Sequence, residues 1–179
     1  MNAPATMQPE ASIRAGVPAD AENLAALGMQ VWLHTYATDG ISSTISQYVL
    51  STFTADKFLA LLAYPSTAVL VAEAGKNLVG YALVTFDAAC PAAAAATSEL
   101  ATLYVQEHFA GRGIGSLLLA RAEAQAREQT GTPLWLTVNA RNSRAIAFYR
   151  RRGYTKIGIT LFRLGAEDHE NHVLVGSRA

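Results

Sequence analysis

Glu99-Leu100-Ala101-Thr102-Leu103-Tyr104-Val105 is a run of strand-forming residues, and after five intervening residues comes Gly111-Arg112-Gly113-Ile114-Gly115-Ser116. Beyond the glycines, Ile114, Leu117, Leu118 and Ala122 fall on one helical face, so the stretch reads as strand, glycine loop and helix. Gly131 and Pro133 stop that helix, and Leu134-Trp135-Leu136-Thr137-Val138 supplies the next strand. Two strands joined by a crossover helix are expected to lie parallel. Three glycines in five residues before an apolar helix leave main-chain N–H groups uncovered at the positive end of a helix dipole, a place suited to a phosphate or diphosphate. The alternative for the loop is a flexible surface turn.

The same residues narrow the phosphate ligand. A nucleoside-triphosphatase loop needs Gly-Lys-Ser or Gly-Lys-Thr, whereas the chain has Gly115-Ser116-Leu117 with no lysine nearby. A dinucleotide fingerprint needs Gly or Ala three residues beyond Gly113, where Ser116 stands, and it follows a first strand rather than one preceded by several. Both ATP hydrolysis and nicotinamide or flavin binding are disfavoured.

Outward toward the N-terminus, Ala68 to Glu73 and Leu78 to Val84 are strand-like runs separated by Gly75-Lys76-Asn77, the pattern of an antiparallel hairpin. Ser12 to Ala15 reads as a short first strand, and Pro18-Ala19-Asp20 opens a helix carrying Leu24, Leu27 and Val31. Short helices are expected around Tyr48, Val49 and Phe53 and around Phe58, Leu59 and Leu62, and a loop over 87–97. Toward the C-terminus, Asn142 caps a helix reaching Gly153, Ile157, Ile159 and Leu161 alternate in a strand, and His172 to Val175 adds a last short one. Residues 1–10 are expected to be a disordered tail, and 11–179 a single domain.

Composition limits the partners. Fourteen Lys and Arg balance fourteen Asp and Glu, so the basic surface of a general nucleic-acid binder is missing and a small-molecule partner is expected. The lone Cys90 excludes an intrachain disulfide and a cysteine zinc cluster, and Cys90 has no recognisable partner as a nucleophile. With neither a signal-like leader nor a membrane-length apolar run, the expected location is the cytoplasm. His169 and His172 near Asp168 lack a convincing metal ligand set, and His34 reads as ordinary surface or packing material.

Taken together, the glycine loop and the segment Val138-Asn139-Ala140-Arg141-Asn142-Ser143-Arg144-Ala145-Ile146-Ala147-Phe148-Tyr149, followed by Gly153-Tyr154, resemble the GNAT superfamily of N-acetyltransferases. That family's signature is Gln/Arg-x-x-Gly-x-Gly/Ala, here Ala110 to Gly115, with Ala110 in place of Gln or Arg and Arg112 a nearby cation. Both motifs stand in family order, and the likeness extends from about Ile13 to Val175. The resemblance implies an α/β (α+β) fold with a mixed, mostly antiparallel sheet flanked by helices, whose fourth and fifth strands splay around acetyl-CoA. Backbone groups of Leu103, Tyr104 and Val105 would hold the pantetheine arm. Amides from Gly111, Arg112, Gly113, Ile114, Gly115 and Ser116 would hold the diphosphate, and Asn139 and Asn142 would lie beside the cosubstrate. For Asn142, a pure helix cap is the equal alternative.

The implied activity is acetyl transfer from acetyl-CoA to a primary amine by direct attack, which needs an acid for the departing thiolate and a donor for the developing oxyanion. On the helix after Asn142, residues 145, 148, 149 and 152 share a face. Tyr149, also counted as a cofactor contact, is the expected acid; the alternative is a core tyrosine. Glu99 matches a position where many family members carry a carboxylate and is the candidate base, against a solvated strand-end group. Val105 or its neighbour offers the oxyanion N–H. Arg141, Arg144, Arg150, Arg151 and Arg152 are either phosphate contacts or a solvated face. Trp32, Tyr36, Tyr48 and Phe53 would wall an acceptor pocket or belong to the core. Asp39 is the only acid between Val31 and Ala55, so a dense anionic trap for a polyamine is not evident. A non-catalytic acyl-CoA-binding or sensor domain is the alternative function. The expected partner is a small-molecule amine, with neither nucleic acid nor membrane. Many members of the family are dimers, which makes a homodimer possible, although no interface signature stands out.

Overall fold

In the computed structural model, which describes residues 11–177, the strands form one seven-stranded sheet. The expected N-terminal tail over residues 1–10 lies outside the described residues. In chain order the elements are β1 (Ser12–Ala15), α1 (Ala21–Tyr36), α2 (Ser43–Thr52), α3 (Ala55–Ala63), β2 (Thr67–Ala74), β3 (Asn77–Thr85) and β4 (Ser98–Val105). There follow α4 (Ile114–Thr130), β5 (Leu134–Asn139), α5 (Ser143–Arg151), β6 (Thr155–Leu164) and β7 (Glu167–Val175). The sheet order is β1-β2-β3-β4-β5-β7-β6, antiparallel except between β4 and β5. This is the mixed, mostly antiparallel sheet that the sequence implied.

Alternation along β2 shows how both faces are covered. Leu70 and Ala72 join a cluster with Leu118, Leu119 and Ala122 of α4, while Val69 and Val71 join Leu24 and Leu27 of α1 and Phe58 of α3. A strand buried on both sides carries a nearly continuous apolar run, as Ala68 to Ala72 does. Helix α4 ends where Gly131 takes a left-handed φ of 66° and its N–H donates to Arg127 O at 3.1 Å.

Three elements differ in extent from the sequence reading. Pro18–Asp20 is a separate 3-10 turn before α1, and α5 stops at Arg151, short of Gly153. The last strand is nine residues long rather than the four from His172 to Val175, because β6 provides a full-length partner from Thr155↔Val175 to Leu164↔Glu167.

The parallel contact between β4 and β5 covers only Ser98↔Leu134 and Glu99↔Trp135. Beyond it β4 stays with β3 as far as Gly80↔Val105, while β5 stays with β7 as far as Asn139↔Asn171. The pairing of β4 skips a residue, since Leu83 opposes Thr102 and Val84 opposes Leu100, leaving Ala101 as the bulge. A bulge bends its strand and raises local twist, which carries the distal half of β4 away from β5. At the closed end, Ser98 is fully buried with its Oγ 2.8 Å from Thr130 Oγ1, and Thr130 lies 2.8 Å from Thr132. These hydroxyls tie the base of the wedge to the end of α4.

Candidate active site

Two cavities meet at the wedge. The first, about 780 Å³, runs from the parted edge of β4 to the glycine loop; the second, about 630 Å³, lies between β4, β5, the aromatic end of α1 and the β6–β7 hairpin. Leu103, Tyr104, Asn142, Arg144, Ala145 and Tyr149 line both. Volumes of this size suit small organic ligands.

The first cavity's floor is backbone. Gln106 N–H donates to Val79 O at 2.9 Å, and N–H groups alternate sides along a strand, so the Val105 and Leu103 N–H groups point away from β3 into the parted side. At the far end, Gly111 and Gly113 have φ of 76° and 82°, and a Cβ at either would meet nothing within 4 Å. The glycines are therefore required by backbone conformation, and the space beside them is free for a ligand. Gly115 and Ser116 also line this cavity. Ile114 does not; it is buried in the core beneath the loop, which fixes the start of α4. Arg112 turns back over the Phe109 ring, 5.1 Å from its centroid.

Cations and one acid surround this end. Arg152 donates to Ser116 Oγ, and Arg144, Arg151 and Arg152 line the cavity. Arg144 Nη1 also forks onto the two Glu107 carboxylate oxygens at 2.9 and 2.7 Å. Arg141 lines the second cavity rather than the first.

Tyr149 sits where the cavities join. It is 8 % exposed and packs in tilted contact with Tyr154, ring centroids 5.6 Å apart. Burial pushes its phenol well above the ordinary tyrosine range, with Tyr36 adding to the rise, so the hydroxyl keeps its proton at every physiological pH. Asn142 caps α5 by accepting from Ala145 N–H at 3.0 Å while lining both cavities, so the cap and the ligand-facing position coexist. Asn139 faces the second cavity, where its Oδ1 accepts from Arg141 N–H at 2.9 Å. Glu99 stands at the closed end of the wedge opposite Thr85 and Trp135, one residue below Leu100, and lines neither cavity. Burial raises its carboxyl above the ordinary glutamate range.

Of the aromatic residues expected near an acceptor, Trp32, Tyr36 and Tyr48 wall the second cavity. Phe53 belongs to the core around α1 and α3. Phe162, His169 and Asn171 of the hairpin complete the wall and were not foreseen as acceptor contacts. Their place depends on the long β6–β7 pairing, for which the polar run Glu167 to Asn171 gives no local signal.

The family model described as the acetyltransferase (GNAT) family matches residues 32–154 of this chain. An uncharacterized N-acetyltransferase of Mycobacterium bovis is 29% identical over 157 residues, which span 87% of this chain and 96% of that protein. The crystal structure of the PaiA N-acetyltransferase from Thermoplasma acidophilum in complex with coenzyme A matches with a TM-score of 0.70 and 22% identity, over 91% of this chain and 98% of that one. A probable acetyltransferase from Staphylococcus epidermidis matches with a TM-score of 0.75 and 17% identity, covering 95% and 100% of the two chains.

Proposed function

The chain belongs to the GNAT family of acetyltransferases, whose acyl donor is acetyl-CoA, and from that premise we propose that it acetylates a primary amine on a small molecule by direct attack. The observation that carries this reading is Tyr149, a buried and protonated hydroxyl at the junction of a phosphate-ready cavity and an aromatic-walled one. The residues fit the donor: open amides at Gly111 and Gly113 suit a diphosphate, and the free edge of β4 suits an extended amide-bearing arm.

The donor supplies an acetyl group activated as a thioester. Amides of Gly111, Gly113 and Gly115 would bind its diphosphate, with Arg151 and Arg152 adding positive charge beside them, while the Ser116 N–H is already donated to Gly113 O at 3.0 Å. The Val105 N–H, directed into the wedge, stabilises negative charge on the acyl oxygen. As the amine nitrogen bonds to the acyl carbon and the C–S bond breaks, Tyr149 gives its proton to the departing sulfur. The amine proton leaves toward Glu99 through water along the β4 face. Asn142 holds the start of α5, and with it Tyr149, in register.

The test follows thiol release from acetyl-CoA across an amine library. Tyr149→Phe should lower kcat by roughly 10²–10³-fold for any accepted amine while CoA affinity holds. Unchanged turnover would remove Tyr149 from the acid role. Tight CoA binding with no release for any amine would favour a sensor domain instead.

A further inference from the structure

The cavity walled by α1 and the β6–β7 hairpin has an uneven chemical lining. None of the described Asp or Glu residues lines it, whereas Arg141, Arg144 and His169 do. Arg144 is already committed to Glu107. Arg141 makes no side-chain hydrogen bond or ion pair with any described residue, is exposed, and lines the cavity. Of two further lining residues, the His169 Nε2 and Asn171 Oδ1 atoms are closed off from solvent and have no hydrogen-bond partner among the described residues. Glu167, mostly exposed and outside the cavity, comes no closer than 3.8 Å to that His169 nitrogen. The remaining wall is a continuous aromatic surface: Trp32 lies 5.1 Å from Tyr36 and 4.8 Å from Tyr48, and Phe162 meets Tyr48 edge-on at 5.8 Å, centroid to centroid.

Resting on the acetyl-transfer reading above, we infer that the acceptor is a small amine that also carries a carboxylate and a flat apolar body, as an aromatic amino acid does. Arg141 takes the carboxylate, because a guanidinium matches a carboxylate in a two-bond fork and this one has no partner among the described residues. The aromatic wall takes the body. Polycations are excluded by the same lining, since they would meet positive charge and no carboxylate.

Matched pairs of amines test this: tryptophan against tryptamine and phenylalanine against phenethylamine, with spermidine as a polycation. Thiol release is read for each with the wild-type protein, Arg141→Ala and Arg141→Lys, and CoA affinity is measured by calorimetry for all three. The expected result is a kcat/KM at least tenfold higher for the carboxylate member of each pair. Arg141→Ala should bring that ratio toward one by raising KM, and Arg141→Lys should keep part of it. If the decarboxylated amines or spermidine are acetylated as well or better, the acceptor class is wrong while acetyl transfer stands. A loss of CoA affinity in Arg141→Ala with an unchanged ratio would assign Arg141 to the nucleotide and overturn the inference. If CoA binds but no amine releases thiol, the transfer reading fails and this one with it.

Discussion

Gly113 and Glu99 illustrate two kinds of residue-level constraint. Gly113 caps α4 at φ 82° with empty space where a side chain would stand, so alanine there costs backbone strain and also projects into the space proposed for the diphosphate. Gly113→Ala should weaken CoA binding at least tenfold in calorimetry while lowering stability by only about 1–2 kcal/mol. Equal CoA affinity in the variant would mean that the loop amides do not hold the diphosphate. Glu99 has a carboxyl raised by burial. A base of raised pKa loses its charge as pH falls, so kcat/KM should decline on the acid side through that pKa. Glu99→Gln should lower the plateau and flatten this limb. A full acid limb surviving in Glu99→Gln would point to another titrating group.

At the scale of elements, the strand, loop and helix from Ser98 to Thr130 hold the site together, because the amides of the glycine loop are only as fixed as the start of α4. Leu118 is fully buried against the sheet two residues beyond Ser116. Leu118→Ala should destabilise the fold by about 2–5 kcal/mol in denaturant titrations. A cost below 1 kcal/mol would show that α4 does not lock onto the sheet as described. This part of the fold was legible in sequence because it is punctuated locally: Gly111 and Gly113 admit the positive φ of the loop, Gly131 ends the helix, and Asn142 caps the next one. The wedge was legible only through the family resemblance. Strand parting depends on the Ala101 bulge and on β7 pairing with β5 as far as Asn139↔Asn171, relations between distant segments that no window of sequence contains. For the same reason Trp32, Tyr36 and Tyr48 were visible as an aromatic group, while His169 and Asn171, which line the same cavity, were not visible as part of it.

Across the whole molecule, the proposed acceptor wall depends on how the N-terminal segment is fastened to the sheet. The edge strand β1 makes only four residue pairs with β2, and α1, which carries Trp32 and Tyr36, begins six residues after it ends. Arg14 joins these parts: it forks onto Asp20 at 2.7 and 2.9 Å, at the entry to α1, and reaches Glu73 of β2 at 2.7 Å. Asp20 is 6 % exposed and also accepts from Val17 N–H at 2.8 Å. The Arg14 hydrogen bonds, helped by Val17, hold the Asp20 carboxyl below its ordinary range, and Arg14 acts on Glu73 in the same direction. A carboxylate with a depressed folded-state pKa contributes stability that is present above its unfolded pKa of about 4 and is lost as pH falls through the folded value. Thermal stability should therefore drop between about pH 4 and the depressed folded-state pKa, with the unfolded chain taking up the protons. Asp20→Asn should lower stability near neutral pH by about 2 kcal/mol, seen as a Tm fall of roughly 4–8 °C, and should make the acid slope shallower. If the variant melts with the wild-type slope between pH 5 and pH 3, the charge cluster does not fasten β1 and α1 to the sheet, and the acceptor wall depends on apolar packing alone.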